Sequence, residues 1–152
     1  MGKFNFAQIK RNLELTKRQL PILLSKQAER HFTESFQKGG LDEHKWQEVK
    51  RRTPGTSEYK YPRKPKQSSK TRPILVGSGA LRRATSNSIK KATFEEVKLA
   101  VDLPYAKIHN EGGLTGRNHS VNMPARPYMI QTETLHKMQV SLIDQTIKKI
   151  WV

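Results

Sequence analysis

The chain has 152 residues, a length typical of one domain with a real hydrophobic core. It carries 29 Lys and Arg against 13 Asp and Glu, and this net charge of +16 predicts affinity for polyanions. Because only 34% of the residues are apolar, we expect a polar, basic part beside a compact part. The absence of cysteine excludes disulfides, cysteine zinc sites and thiol nucleophiles. No apolar run reaches the roughly 18 residues of a membrane helix, and no signal peptide is visible, so we expect no membrane contact and synthesis in a cytoplasm.

The first part of the chain is predicted to be helical. An apolar repeat at helical spacing, with Asn5 as a cap, predicts a helical arm over residues 1–19. Pro21 lacks an N–H and clashes with the preceding turn, so the helix should break or restart there. A second helix is predicted from Leu20 to Lys38, because apolar residues recur every fourth position, and Gly39 should end it.

A short third helix and a long basic loop are predicted next. Asp42 is in position to cap a helix that carries Trp46 and Val49. Residues 50–73 then form a polar loop, because Pro, Gly, Ser and cations dominate and only Glu58 is acidic. The loop is either a solvated linker or a nucleic-acid contact. Against Glu58, its nine cations give a net +8, half of the charge of the chain: Lys50, Arg51, Arg52, Lys60, Arg63, Lys64, Lys66, Lys70 and Arg72.

The middle of the chain alternates short strands with turns. Ile74–Val76 is a β-prone run, and the glycines that follow it turn the chain into a helix over Ala80–Thr85. Ile89–Phe94 and Val97–Leu103 alternate as paired strands, with adjacent glutamates at the turn between them. Tyr105–Asn110 is predicted to form a helical turn.

The last part of the chain ends in a helix. Ser120–Met123 is a candidate strand, and Pro124 and Pro127 make the next segment rigid and extended. A helix is predicted over residues 132–151, with apolar side chains covering roughly 220° of its circumference. That surplus indicates a second partner, either another subunit or the N-terminal helix. The elements predict one α+β domain, residues 1–152, with a small antiparallel sheet packed by a long N-terminal helix and a C-terminal helix.

Catalytic, metal and cofactor sites are not expected. The segment Gly77–Arg82 lacks the lysine and hydroxyl of a P-loop and the third small residue of a dinucleotide fingerprint. The five histidines form no H-x-x-x-H pair and no cluster with carboxylates. The adjacent glutamates at the hairpin turn should point to opposite faces, so they make no acid–base pair. We therefore expect a protein that is not an enzyme and binds no cofactor.

One arginine is held between two prolines. Pro124 and Pro127 fix the backbone on either side of Arg126, which presents the guanidinium at a defined angle. Such an arginine suits a bidentate contact to a carboxylate, and Glu111 is the candidate partner in a buried or interfacial ion pair. His109 is expected to satisfy a local backbone hydrogen bond.

Four segments occur in a fixed order: Trp46–Val49, Ile74–Arg83, Tyr105–Gly113 and Met123–Tyr128. Together they resemble the phage virion morphogenesis (tail completion) family of tailed bacteriophages, of the Mu-like type, over about residues 20–150. The positions that carry the resemblance are Trp46, Gly79, Leu81, Arg82, Tyr105, His109, Glu111, Gly112, Gly113, Pro124, Arg126 and Pro127.

The resemblance implies a structural virion protein without catalysis. It would form a homo-oligomeric ring, by analogy a hexamer, at the neck or head-proximal tail end, where it completes the tail and joins it to the head. Its partners would be neighbouring neck, connector and tail proteins, and the basic loop would meet either genomic DNA in the lumen or an acidic protein surface. The alternative is a stand-alone basic nucleic-acid-binding protein, although no helix-turn-helix, zinc-finger or RNA-binding signature is present.

Overall fold

A computed structural model describes residues 5–62 and 70–151, and the predicted α+β class is confirmed. The helices are α1 (Phe6–Lys38), α2 (Ser57–Lys60), α3 (Ala80–Thr85), α4 (Ala106–Glu111) and α5 (Glu133–Lys148). The strands are β1 (Gly40–Leu41), β2 (His44–Lys45), β3 (Ile89–Ala92), β4 (Val97–Leu99), β5 (Gly113–Thr115) and β6 (Val121–Met123). Single 3-10 turns lie at Lys50–Arg52, Arg117–His119 and Lys149–Trp151.

The strands pair antiparallel, β1 with β2, β3 with β4 and β5 with β6. They form three separate two-stranded sheets instead of the single small sheet expected from the sequence. Among the described residues, no helix is long and apolar enough to cross a membrane.

Contacts divide the chain into two compact units. The first comprises residues 5–30, 88–100 and 131–151, and the second comprises residues 31–62, 70–87 and 101–130. Each unit is therefore assembled from segments that are distant in sequence.

The N-terminal helix α1 is continuous. Asn5 caps it as predicted, because its Oδ1 accepts a hydrogen bond from Gln8 N at 3.1 Å. The predicted break at Pro21 is wrong, since Pro21 lies inside an uninterrupted helix of 33 residues. An internal proline costs about 3 kcal/mol or more, and the burial of apolar side chains such as Leu20 and Ala28 on either side of it opposes that cost. The predicted end is confirmed, with Gly39 following the helix at φ +70°.

Two local predictions in the second unit are wrong. Asp42 caps no helix; it occupies the β1–β2 turn at φ +45°. Trp46 follows β2 outside any helix or strand, and its N–H donates to Gly39 O at 2.9 Å. Ile74–Val76 forms a turn instead of a strand, with Leu75 at φ +59°. Here burial of Ile74 in the core outweighs the β propensity of the run.

Several other predicted elements are confirmed. Strands β3 and β4 pair with Ala92 opposite Val97, although both are shorter than expected. Strand β6 forms as predicted. Its antiparallel partner β5 was not predicted from the sequence. Helix α5 begins behind Thr132, whose Oγ1 accepts a hydrogen bond from Leu135 N at 3.2 Å.

The first unit joins α1, the β3–β4 hairpin and α5 through polar contacts. Ser88 N donates to Glu29 Oε1 at 2.9 Å, and Asn12 Nδ2 donates to Ile150 O at 3.3 Å. Leu135 of α5 and Ile150 of the 3-10 turn that follows it are buried, so part of the apolar surface predicted for the C-terminal helix is covered within the chain.

The second unit has an aromatic core. The Phe36 ring lies 5.6 Å from the Trp46 ring and 5.4 Å from the Tyr128 ring, centroid to centroid. Ile74, Leu81 and Ala106 complete the cluster. This core holds together all of the segments that carry the candidate site.

Candidate functional site

The four segments that stand out in the sequence meet in the second unit. Trp46 Nε1 donates a hydrogen bond of 2.7 Å to the carbonyl of Pro127. Leu81 of the second segment and Tyr128 of the fourth segment are both buried in the core that contains Trp46. The tertiary structure thus links positions that are up to 81 residues apart.

The third and fourth segments bind each other through their backbones. Arg126 N donates to His109 O at 2.9 Å, and Asn110 Oδ1 accepts from the N–H groups of Tyr128 and Met129, each at 3.0 Å. Gly112 permits this approach, because a Cβ there would lie 2.7 Å from Ala125 N. The glycine is therefore required by close contact as well as by its φ of +75°.

A cavity of about 510 Å³ lies within this unit. Its apolar wall includes Val49, Ile74, Leu75, Val76, Leu81 and Met123. Its polar wall includes Arg51, Arg72, Arg126, His109 and Tyr105. No Asp or Glu is among the described residues that line it, so the formal charge of the wall is strongly positive.

Arg126 is 7% exposed and weakly bonded. Its Nε donates to Gln47 O at 3.4 Å, and its Nη1 lies 3.7 Å from Met123 Sδ. The predicted ion pair with Glu111 is not formed, because Glu111 is exposed and its carboxylate lies 3.9 Å from Lys107 Nζ. Burial lowers the pKa of Arg126, and the negative charge of Glu48 acts in the opposite direction.

The expected hydrogen bond from the His109 side chain to the local backbone is not formed at Nδ1. The Nδ1 atom is buried and has no hydrogen-bond partner in the described part of the chain, while the His109 ring meets the Tyr105 ring edge-on at 5.9 Å between centroids. Burial and then the positive charge of Arg126 lower the pKa of His109 below its ordinary value. The neutral imidazole is therefore favoured in the folded protein.

The cations of the basic loop do not share one environment. Arg51 and Arg72 line the cavity, and Arg51 Nη2 donates to Arg72 O at 2.7 Å. Burial, followed by the charges of Arg72 and Arg52, lowers the pKa of Arg51. Lys70 Nζ lies 3.6 Å from the centroid of the Tyr59 ring.

The remaining cations of the loop face solvent or fall outside the described part of the chain. Arg52 is exposed and lies 3.6 Å from Glu48, and Lys50 and Lys60 are exposed. Arg63, Lys64 and Lys66 lie outside the described residues. The loop therefore supplies cations both to the cavity and to the surface.

The other positions of the resemblance are structural. Gly79 caps α3 at φ +79°, and Gly113 begins β5 at φ +126°. Arg82 is half-buried on α3 and is not part of the cavity wall, and Pro124 is half-buried after β6.

Sequence reasoning missed the convergence of the arginines. Arg51 and Arg72 are 21 residues apart, and the sequence pattern identifies them only as members of a charged loop. Their approach to Arg126 depends on the turn at residues 74–76, for which no spacing signal exists. The role of Asn110 was also missed, because its two backbone partners lie 18 and 19 residues away in sequence.

Comparison with known proteins gives one result. The model of the phage virion morphogenesis family matches residues 12–148. The chain belongs to this family. The match covers all four segments and confirms the resemblance, without distinguishing the Mu-like type. The searches of curated proteins and of solved structures found no significant match.

Membership of the phage virion morphogenesis family indicates a structural or morphogenetic role in a phage particle. Within the described parts of the chain, no group of three or more metal-binding side chains is brought together. The four segments converge on one core, and each contributes residues to the wall of the arginine-lined cavity.

Proposed function

We propose that this protein is a structural, non-catalytic virion component that forms a ring at the neck or head-proximal tail end, completes the tail and joins it to the head. The observation that carries the proposal is membership of the phage virion morphogenesis family over residues 12–148. The ring and the joining role are proposals that rest on this membership and on the surface of the first unit.

The surface of the first unit supports self-association. On α5, Val140 and Ile147 lie seven residues apart on one face and are 50% and 45% exposed. Trp151, beyond the end of this helix, is 65% exposed. On α1, Leu15 and Ile22 repeat the same spacing, and each is 45% exposed. Apolar stripes of this kind favour burial against another chain.

Closed rings arise when one surface binds a different surface of the next copy and the rotation closes. The α1 and α5 stripes are two such surfaces on one protein. Six copies are the default expectation, by analogy with the symmetry of phage tails.

The association is tested by light scattering after size-exclusion chromatography. Val140→Asp with Ile147→Asp should shift an oligomer to the monomer, because both charges would be buried at the interface. Ser141→Asp is the matched control, since it is exposed on another face of α5. Unchanged mass in the double variant would contradict the role of this stripe.

The role in the particle is tested by disrupting the gene in the phage that carries it. Negative-stain microscopy should then show filled heads beside separate tails. Overlong tails would instead assign termination of tail polymerisation, and intact infectious virions would overturn the neck assignment.

The basic loop supports contact with genomic DNA in the ring lumen. Lys50, Arg52 and Lys60 are exposed on the described part of the loop. Phosphate contacts of this kind are sequence-independent and sensitive to salt.

The contact is tested by the salt dependence of DNA binding. Replacing Lys60, Lys64 and Lys66 by Gln should reduce the salt slope, by about one unit for each phosphate contact that is lost. A control with the same charge change replaces three exposed lysines elsewhere by Gln: Lys107, Lys137 and Lys148. Equal slopes in the two triple variants would reject the lumen contact.

A stand-alone basic nucleic-acid-binding protein is the second candidate, favoured by the net charge of +16. It predicts a monomer that binds DNA tightly without other virion proteins. Observation of a stable ring, or of a ring that forms when neck proteins are added, would contradict this second candidate.

A further inference from the structure

The arginine-lined cavity of the second unit has no role in the ring or in the basic surface described above. It is about 510 Å³ in volume, and three guanidinium groups line it without a carboxylate in the described wall. Like charges at close range disfavour one another, which contributes to the lowered pKa of Arg51 beside Arg72. An anion inside the cavity would remove this electrostatic cost.

Arg126 has unused hydrogen-bonding capacity toward the cavity. A guanidinium has five N–H donors, and toward residues 5–62 and 70–151 those of Arg126 make only a long bond to Gln47 O, at 3.4 Å, and a contact with Met123 Sδ. Glu48, whose charge acts on Arg126, accepts a hydrogen bond from Val49 N at 2.8 Å and pairs with Arg52 at 3.6 Å. A charged side chain that is 7% exposed is normally paired and fully hydrogen-bonded.

Two further buried nitrogen atoms on the wall are unsatisfied. Arg72 Nε and His109 Nδ1 are both shielded from solvent and have no hydrogen-bond partner among the described residues. Buried polar atoms without partners are rare in native proteins and mark sites where another group belongs. Both of these residues line the same cavity as Arg126.

We propose that this cavity binds a carboxylate carried on an apolar body, supplied by an acidic side chain of a partner polypeptide. The planar guanidinium groups match the two oxygens of a carboxylate. The apolar wall, which includes Ile74, Val76 and Leu81, matches the aliphatic stem and neighbouring side chains of a peptide. The cavity is too small for a DNA duplex, and its apolar wall offers no groove for a phosphate backbone. The site is independent of ring formation.

The probe is the capped tripeptide leucyl-glutamyl-leucine amide, and its glutaminyl analogue is the uncharged control. Binding is followed by NMR on the full chain. We expect saturable shifts at the side-chain N–H groups of Arg72 and Arg126 and at the His109 ring, with the glutamyl peptide binding about tenfold tighter than its analogue. Equal affinity of the two peptides would overturn the proposal.

Variants of the protein separate the cavity from general attraction to a basic surface. Arg126→Gln should weaken binding of the glutamyl peptide about tenfold or more. Arg117→Gln changes the net charge equally at an exposed position outside the cavity wall and should leave affinity within about twofold. Equal loss in the two variants would show that the attraction is not specific and would refute the site.

A second variant and two competitors complete the test. If Arg126→Gln loses the dispersed spectrum of the folded chain, Arg72→Gln replaces it, with the same expected loss. Inorganic phosphate and a short DNA duplex are added as competitors. Displacement of the peptide from the cavity by either one, at a concentration below that of the peptide, would overturn the preference for a carboxylate.

Discussion

Replacing Gly112 by Ala tests the contact that holds the third and fourth segments together. Gly112 has φ +75° and ψ −172°, a conformation that is nearly restricted to glycine. A Cβ at this position would lie 2.7 Å from Ala125 N and 2.9 Å from Met123 O. Both atoms belong to the backbone, so a rotamer change cannot relieve the clash.

The expected cost follows from these two terms. The backbone conformation costs about 1–3 kcal/mol for a residue other than glycine. Displacing a packed backbone segment costs about 1–3 kcal/mol more. The free energy of unfolding should therefore fall by about 2–6 kcal/mol, a large share of the roughly 5–15 kcal/mol available to a small protein.

Two glycines provide matched controls for Gly112→Ala. Gly55 has φ +91°, and a methyl group added there would have nothing within 4 Å, so Gly55→Ala carries the backbone strain without the clash. Gly77 has open space and lacks a left-handed φ, so Gly77→Ala should change stability by less than about 0.5 kcal/mol.

The assay is urea unfolding followed by tryptophan fluorescence. Trp151→Phe is introduced into every variant, so that Trp46, buried in the same unit as Gly112, supplies the signal. With a slope of about 2 kcal/mol per molar urea, the midpoint should fall by about 1–3 M. A midpoint for Gly112→Ala that equals the midpoint for Gly77→Ala would refute the reasoning.

Three further predictions concern the same unit. Trp46→Phe removes the donor to Pro127 O and should lower stability by about 1–2 kcal/mol in urea unfolding followed by circular dichroism, since this variant lacks the Trp46 signal; an unchanged midpoint would contradict this. The pKa of His109 is lowered by burial and then by Arg126, so the unfolded chain binds its proton more readily. Stability should therefore fall as pH decreases through about 6.5, an effect that His109→Gln should reduce. Burial raises the pKa of Tyr128 to about 12, so stability should fall as pH rises above about 10. Tyrosinate absorbance should show an ionisation near pH 12 that Tyr128→Phe removes.

Elements that depend on local signals were predicted well. The cap at Asn5 and the glycine end of α1 each need only one residue and the backbone beside it. The β3–β4 pairing also follows from alternation on both sides of a short turn. Sequence-based reasoning succeeds here because the interacting groups are within a few residues of one another.

The errors have a common physical cause. Pro21 lies inside a helix, and Ile74–Val76 forms a turn, because packing contributes more free energy than the local preference removes. The segment that carries Trp46 is not helical for a related reason: its indole bonds to Pro127 O, 81 residues away in sequence.

The sequence alone determined the α+β class, the excess of positive charge and the family, because composition, periodicity and ordered segments are properties of the chain itself. Only the tertiary structure decided which cations meet. Arg51, Arg72 and Arg126 share one cavity, and Glu111 remains at the surface beside Lys107. Side-chain partners are set by the packing of distant segments around the Phe36, Trp46 and Tyr128 rings, and no spacing along the chain encodes that packing.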